Sequence, residues 1–322
     1  GVLSFSCAAL AYALLPSGSR HQPAALAELD TSAERGRYLA RAGNCATCHT
    51  AEGGEPYAGG LVFHTPFGLL YSTNITSDRE TGIGDWPFED FYRSVKEGVR
   101  PDGTHLYPAF PYTDFAKLTD ADIASLYLYF QDVAPVNSPA PENELVFPFD
   151  QRALLYLWKK LFHDPETFVP DPGQSAQWNR GAYLVEGAGH CGACHTPRNA
   201  LGAEQTSLAL TGGTYMDKVL FGYYRPWSGV NLTPHAAGLA TWEENDIVSY
   251  LRDGVSRNAV VHGPMRDVVM NSTRHLAEED LRAMAVYLKG IPANAQPPGP
   301  APSEGEGARA RLPGWTPLQT FA

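Results

Sequence analysis

The sequence has few charged residues, and positive charge is scarcer than negative charge. Only 18% of the 322 residues are charged, and 24 Lys and Arg face 35 Asp and Glu, for a net charge of −11. Because phosphate binding depends on clustered positive charge, we expect no nucleic-acid partner. The 31 Gly and 26 Pro suggest many loops but stay below the content typical of disorder. A chain of this length predicts two globular domains.

The apolar run nearest the N-terminus is short. Residues 2–15 read VLSFSCAALAYALL, fewer than the roughly 20 residues needed to span a bilayer. We interpret residues 1–31 as an incomplete membrane-anchor helix or signal segment followed by a linker. Cys7 within this run is expected to be an ordinary apolar helix residue rather than a lipid-attachment site.

Cysteine is also scarce, but four of the five cysteines recur in one pattern. Residues 45–49 and 191–195 both read CxxCH. In this spacing two thiols bond the vinyl groups of one porphyrin while the next residue ligates the iron. A zinc site or a redox dithiol is the alternative, but each copy lies in its own domain-sized segment, which favours haem. We therefore expect two covalently bound haem c groups, held by Cys45, Cys48, Cys191 and Cys194 and ligated by His49 and His195.

An internal repeat surrounds the two CxxCH motifs. Arg35–Leu39 is echoed by Arg180–Leu184, and further matched pairs follow each motif in the same order: Asn74-Ile75-Thr76 with Asn231-Leu232-Thr233, and Leu118–Ile123 with Leu276–Leu281. The repeat predicts two copies of one haem-binding domain, at residues 32–133 and 176–291.

Apolar residues at helical spacing predict three helices in each copy. Their ranges are 32–43, 86–98 and 119–131, then 176–188, 242–254 and 277–289. The connecting segment, 134–175, combines a Pro-rich strap with an amphipathic helix at 151–162. That helix packs between the domains or offers a dock for a partner or a membrane. Residues 292–322 are expected to form an extended tail.

Methionine, a common sixth ligand of haem iron, is nearly absent. The four methionines all lie in the second half, at positions 216, 265, 270 and 284. Met265 follows Gly263-Pro264 in a predicted loop and is the expected ligand of the second haem, with Met270 as the fallback. Met284 falls at a core position of a helix. The repeat aligns Phe110 with Met265, and phenylalanine cannot ligate iron.

The first haem therefore has no obvious sixth ligand. His105 lies on the same loop as Phe110 and is the first candidate, followed by His64. The remaining possibilities are a five-coordinate or water-bound iron, or a ligand from a partner chain.

These motifs together resemble the cytochrome c subunits of membrane-bound periplasmic dehydrogenases of bacteria, the group acting on alcohols, gluconate, fructose and aldehydes. The residues that carry the resemblance are the two CxxCH motifs, Thr65–Gly68, Ser72–Thr76, Thr81–Trp86, Leu106–Ala109, Thr196–Arg198 and Gly263–Met265. The resemblance implies a mainly α fold of tandem class I-like cytochrome c domains. It also implies a catalytic dehydrogenase partner using pyrroloquinoline quinone, flavin or molybdenum, with a quinone as acceptor. The chain departs from the family at Phe110, where a Met is usual, and has no third CxxCH.

Two functions follow from this sequence. The first is an electron-transfer subunit that relays electrons from a dehydrogenase to a quinone or an oxidase. We expect it on the periplasmic side of the inner membrane, anchored at its N-terminus, with haem 1 (the Cys45–His49 site) lower in potential than haem 2 (the Cys191–His195 site). The second is a peroxidase-like enzyme that uses an open haem 1, which needs a polar distal pocket.

Overall fold

The computed structural model describes residues 23–218 and 224–295, without the side chains of residues 216–218, 224 and 225. The N-terminal apolar run with Cys7 and the tail beyond residue 295 lie outside these ranges. In the described part of the chain, no helix combines the length and apolar character needed to cross a membrane.

The two repeats contain corresponding sets of helices. In the first repeat they are α1 (Ala33–Ala42), α2 (Cys45–Cys48), α3 (Phe88–Glu97), α4 (Tyr112–Phe115) and α5 (Asp120–Asp132). The helix α6 (Leu154–Phe162) follows between the repeats. The second repeat contains α7 (Ala176–Tyr183), α8 (Gly192–His195), α9 (Glu244–Asp253), α10 (Pro264–Asn271) and α11 (Glu278–Gly290). All seven predicted helices are therefore present.

Capping side chains explain where the helices begin. Ser32, Thr119 and Ser175 each accept a hydrogen bond from a backbone N–H in the first turn of the following helix. The predicted second-repeat helix 176–188 differs in one respect, because α7 continues as a turn of π-helix at Leu184–Ala188. The predicted middle helix 86–98 begins only at Phe88, after the extended Pro87.

Two small antiparallel sheets were not predicted. Strand β1 (Val62–Thr65) pairs with β2 (Gly68–Tyr71), and β2 pairs with β3 (Glu144–Leu145). In the second repeat, β4 (Gly213–Lys218) pairs with β5 (Tyr224–Gly229). Because β3 lies within residues 134–150, the Pro-rich strap is partly an edge strand bonded to the first repeat, not only a connection.

The first and last helices of each repeat cross at a glycine. A Cβ built at Gly36 would lie 1.9 Å from the carbonyl oxygen of Ser125 on α5, and one at Gly181 would lie 1.9 Å from that of Ala283 on α11. Only a residue without a side chain allows such close approach. The crossing is therefore the same in both repeats and is fixed by one glycine in each.

Two tyrosines join the repeats through reciprocal contacts. Tyr38 of the first repeat donates to Asp280 Oδ2 of the second at 2.6 Å, and Tyr183 donates to Asp122 in the opposite direction. Each tyrosine oxygen also accepts a hydrogen bond from a backbone N–H at 3.1 Å. The donor is Ala277 for Tyr38 and Thr119 for Tyr183. Since these residues occupy matched positions of the repeat, the interface has approximate two-fold symmetry, as in a homodimer.

We expect Tyr38→Phe and Tyr183→Phe each to lower the free energy of unfolding by between about 1 and 3 kcal/mol, because each removes a hydrogen bond to a carboxylate. Denaturant titration measures this loss. The matched control is Tyr71→Phe, which removes an exposed tyrosine–carboxylate bond to Glu144 and should leave the midpoint unchanged. If all three substitutions lowered the free energy of unfolding equally, the two tyrosine–aspartate bonds between the repeats would contribute no more stability than an exposed bond does.

Candidate haem sites

Each CxxCH motif forms a short helix whose thiols are enclosed. Cys45 and Cys48 lie on α2, whereas Cys191 caps α8 and Cys194 lies within it. None of these four cysteines forms a disulfide in the described part of the chain. Burial raises the pKa of Cys45 and Cys191 to about 12 and that of Cys48 to about 11. Reactive dithiols depend on a lowered thiol pKa, so this environment argues against the dithiol alternative.

The histidine of each motif is held by a backbone carbonyl. His49 Nδ1 lies 2.7 Å from the oxygen of Thr73, and His195 Nδ1 lies 2.8 Å from that of Val230. A carbonyl only accepts, so both Nδ1 atoms carry the proton and both Nε2 atoms keep the lone pair that a metal needs. Burial lowers the pKa of both imidazoles, which keeps them neutral near pH 7. Both rings are thus prepared as metal ligands.

The carbonyls themselves are placed by the repeated Asn-x-Thr turns that follow them. Asn74 Oδ1 accepts from the backbone N–H and the hydroxyl of Thr76, at 2.9 and 2.7 Å. Asn231 accepts in the same way from Thr233, at 2.7 Å for both bonds. Each turn therefore fixes the residue before its asparagine, and with it the orientation of the proximal histidine.

The donor set fits haem better than zinc. Within the described ranges, no three or more His, Cys, Asp or Glu side chains cluster as a metal site. Each motif instead offers two thiols and one oriented imidazole, the set that covalent haem c requires. The zinc alternative has no site in this part of the chain.

Met265 lies at the second residue of α10, not in the predicted loop. Proline at the first position of a helix is favourable, which explains why Gly263-Pro264 begins a helix here. A Cβ at Gly263, whose φ is 58°, would lie 2.7 Å from the ring of Trp227, so this helix start is closely packed. Met265 packs against the core, and Met284 is buried in α11 as predicted.

Met270, the fallback ligand, points outward. Its side chain is 40% exposed, and its sulfur accepts from Arg274 at 3.2 Å. The side chain of Met216 lies outside the described residues. Ligation of haem 2 by Met265 stays a prediction.

In the first repeat, the ring of Phe110 lies beside that of His49 in an edge-to-face arrangement. The ring centroids of Phe110 and His49 are 6.5 Å apart, and the two ring planes are inclined by 82°. Phe110 also packs on Phe115, with ring centroids 5.5 Å apart.

His105, the predicted sixth ligand of haem 1, lies against the inter-domain helix. Its ring centroid is 6.0 Å from that of Tyr156 on α6, and its carbonyl accepts from Arg152 Nη1 at 2.8 Å. Burial and the positive charges of Lys159 and Arg93 lower the pKa of His105 to about 4. His64 lies on strand β1. Ligation by either histidine stays a prediction.

Aromatic contacts connect the two sites. The ring of Phe115 lies 5.5 Å from Phe110 and 5.3 Å from His190, which precedes Cys191. Thr47, between the two cysteines of the first motif, accepts a hydrogen bond from Asn271 of the second repeat at 2.9 Å. Both motifs therefore lie beside the interface between the repeats.

Two carboxyl groups beside the second motif, the buried Asp114 and the half-buried Glu204, were not found from the sequence. Burial raises the pKa of Asp114 to about 6 and that of Glu204 to about 7. Arg198 donates to Glu204 at 3.3 Å. Neither acid has a counterpart in the repeat, so no sequence signal identified it. The crossed tyrosines, by contrast, stand at matched positions that the repeat could have revealed.

Comparison with known proteins agrees with this geometry. Residues 33–134 match the family described as cytochrome c. The chain is 47% identical over 264 residues to one of the subunits of nicotinate dehydrogenase from Pseudomonas putida, a match that covers 82% of this chain and 22% of that one. It is 43% identical over 270 residues to the gluconate 2-dehydrogenase cytochrome c subunit of Pantoea cypripedii, covering 82% of this chain and 60% of that one. The chain thus spans only part of the length of both relatives.

A third relative is matched over nearly its whole length. The chain is 36% identical over 280 residues to a di-haem c-type cytochrome of Cereibacter sphaeroides, covering 85% of this chain and 90% of that one. Each of the three relatives is matched over at least 264 residues, which is longer than either repeat, so the sequence similarity extends into both repeats. The chain belongs to the c-type cytochrome family that includes the cytochrome c subunits of bacterial dehydrogenases.

Proposed function

We propose that the protein is a di-haem electron-relay subunit that receives electrons from a catalytic dehydrogenase and delivers them to a quinone or another respiratory acceptor. The observation that carries this proposal is the pair of matched sites, joined by aromatic contacts from His49 through Phe110 and Phe115 to His190. Each bound haem supplies a one-electron iron couple. The chain supplies the spacing between the two sites and the ligands that set their potentials.

The relatives support the donor side of the proposal. Several are named as subunits of dehydrogenases, so we infer a catalytic dehydrogenase partner that uses pyrroloquinoline quinone, flavin or molybdenum. We place the protein on the periplasmic side of the inner membrane, held there by its N-terminal apolar segment, because haem is attached to CxxCH outside the bacterial cytoplasm.

Stopped-flow mixing tests the relay. The holoprotein is reduced with ascorbate and a mediator, then mixed separately with decylubiquinone, oxidised soluble cytochrome c and hydrogen peroxide while haem absorption is followed. The proposal predicts reoxidation of both haems by at least one of the first two acceptors and no catalytic consumption of peroxide. Catalytic peroxide turnover, or failure of both electron acceptors, would contradict it.

The ligand of haem 2 offers a separate prediction. Met265→His should lower the potential of haem 2, because imidazole favours ferric iron more than a thioether does. Spectroelectrochemical titration measures the shift. Met270→His is the matched control, since that side chain is exposed and should leave both potentials unchanged. An unchanged potential in the Met265 variant would exclude Met265 as the ligand.

A further inference from the structure

The loop that carries Phe110 is held in place by two aromatic residues. Tyr112 is fully buried, and a Cβ at Gly98 would lie 2.6 Å from its ring, so the ring rests directly on the backbone at the end of α3. Phe115 packs on Phe110 from the other side. Because residues beside Phe110 are fixed in this way, the position of its ring is set by packing rather than by solvent.

The separation of Phe110 from His49 has a specific size. At 6.5 Å the ring centroids lie toward the far end of the range for direct edge-to-face contact, roughly 4.5–7 Å. The same separation suits one porphyrin plane between them. Three lengths add up to about this separation. The bond from the imidazole nitrogen to the metal is about 2 Å, the spacing between the porphyrin and a ring stacked on it is about 3.5 Å, and the distance from the imidazole nitrogen to the centre of its own ring supplies the rest.

The relative orientation of the two rings agrees with this fit. An imidazole that ligates iron stands upright on the porphyrin. A ring stacked flat on the opposite face must then be nearly perpendicular to that imidazole, and the 82° between the two ring planes meets this requirement. In the second repeat the aligned position holds Met265, whose thioether sulfur can ligate iron. The first repeat thus presents a hydrocarbon ring where the second presents a ligand.

We propose that Phe110 covers the sixth position of haem 1 without occupying it, so that haem 1 is five-coordinate and binds only small neutral diatomic ligands such as carbon monoxide or nitric oxide, for which the Phe110 ring must swing aside. The inference rests on the proposed function only in requiring haem at Cys45–His49. The packed rings of Phe110 and Phe115 form an apolar cover. Such a cover disfavours anionic ligands, which lose their hydration on entry, and offers no donor to a bound peroxide.

His105 packs against the inter-domain helix α6. Its ring packs on Tyr156, its carbonyl is bonded to Arg152, and the backbone N–H of the next residue, Leu106, donates to Gly98 at 2.8 Å. A rotation of the imidazole toward His49 would give up its packing on Tyr156. Phe110 reaches the distal side without any rearrangement.

Electron paramagnetic resonance of the ferric holoprotein, combined with carbon monoxide binding to the reduced form, tests the inference. One high-spin and one low-spin haem are expected in the native protein, with carbon monoxide bound by half of the total haem. Phe110→Met and Phe110→Leu form a matched pair, since the side chains are similar in size but only one carries sulfur. The Met variant should become low-spin at both haems and lose carbon monoxide binding, while the Leu variant stays high-spin at haem 1.

The rates and the histidine variants complete the test. Phe110→Ala should bind carbon monoxide on the order of tenfold faster, because the cover over the iron is removed. His105→Ala and His64→Ala should leave the high-spin signal unchanged. Two low-spin haems in the native protein, a high-spin signal created by either histidine variant, or identical spectra for the Met and Leu variants would each overturn the inference.

The same samples separate this inference from the proposed function. Their haem content and the number of electrons taken up per chain are measured alongside the spectra. A protein that takes up two electrons but is low-spin at both haems overturns the covered site and leaves the relay intact. A protein that takes up none overturns the relay.

Discussion

Replacing Gly181 with alanine is expected to destabilise the protein strongly. The new Cβ would lie 1.9 Å from the carbonyl oxygen of Ala283, an atom of helix backbone that cannot rotate away. Helices α7 and α11 would have to separate, and we expect a loss of about 3 kcal/mol or more in the free energy of unfolding. Denaturant titration of the holoprotein, followed by haem absorption, measures the loss.

Gly187→Ala is the matched control for this substitution. Its Cβ would come no closer than 3.5 Å to a neighbouring atom, an ordinary van der Waals contact with Lys117. The variant should differ from the native protein by less than about 1 kcal/mol. Gly36→Ala should behave like Gly181→Ala, since its Cβ would meet Ser125 at the same distance. Similar stability of the Gly181 and Gly187 variants would contradict the account of the helix crossing.

Removing both cysteines of one motif is expected to remove one haem. The double variant Cys191→Ala with Cys194→Ala should retain half of the covalent haem, because haem 1 is bonded only through Cys45 and Cys48. The reciprocal double variant should also retain half. Pyridine haemochrome absorbance per chain measures the haem content, after acid and organic extraction to remove haem that is not covalently bound.

The two double variants also report on the sites separately. The variant that keeps only haem 1 should contain high-spin iron and bind carbon monoxide, whereas the variant that keeps only haem 2 should contain low-spin iron. Cys7→Ala is the control and should keep both haems. Loss of all haem from either double variant, with the chain still folded, would show that the sites are not independent.

The sequence predicted the helices well because their starts depend on local contacts. Ser32, Thr119 and Ser175 cap the helices that follow them, and a capping residue can be recognised without knowing the fold. The strands were missed for a physical reason. Each is at most six residues long, and β3 has only two residues within a Pro-rich segment, so neither alternation nor composition marked it.

The two haem motifs and their histidines could be predicted because the chemistry fixes the spacing. The carbonyls of Thr73 and Val230 could not, since a backbone acceptor carries no sequence signature. The sequence predicts a loop at Gly263-Pro264. The structure begins α10 there, because proline is favourable at the first position of a helix. The contact between Phe110 and His49 joins residues far apart in sequence and required the fold.

The central claim is that two matched sites each hold one covalent haem and that together they relay electrons. Spectroelectrochemical titration of the holoprotein, with covalent haem counted on the same sample, tests this claim most directly. The account predicts two haems per chain and two one-electron steps, with haem 1 lower in potential than haem 2. One haem per chain, or a protein whose second motif binds zinc in place of haem, would contradict it.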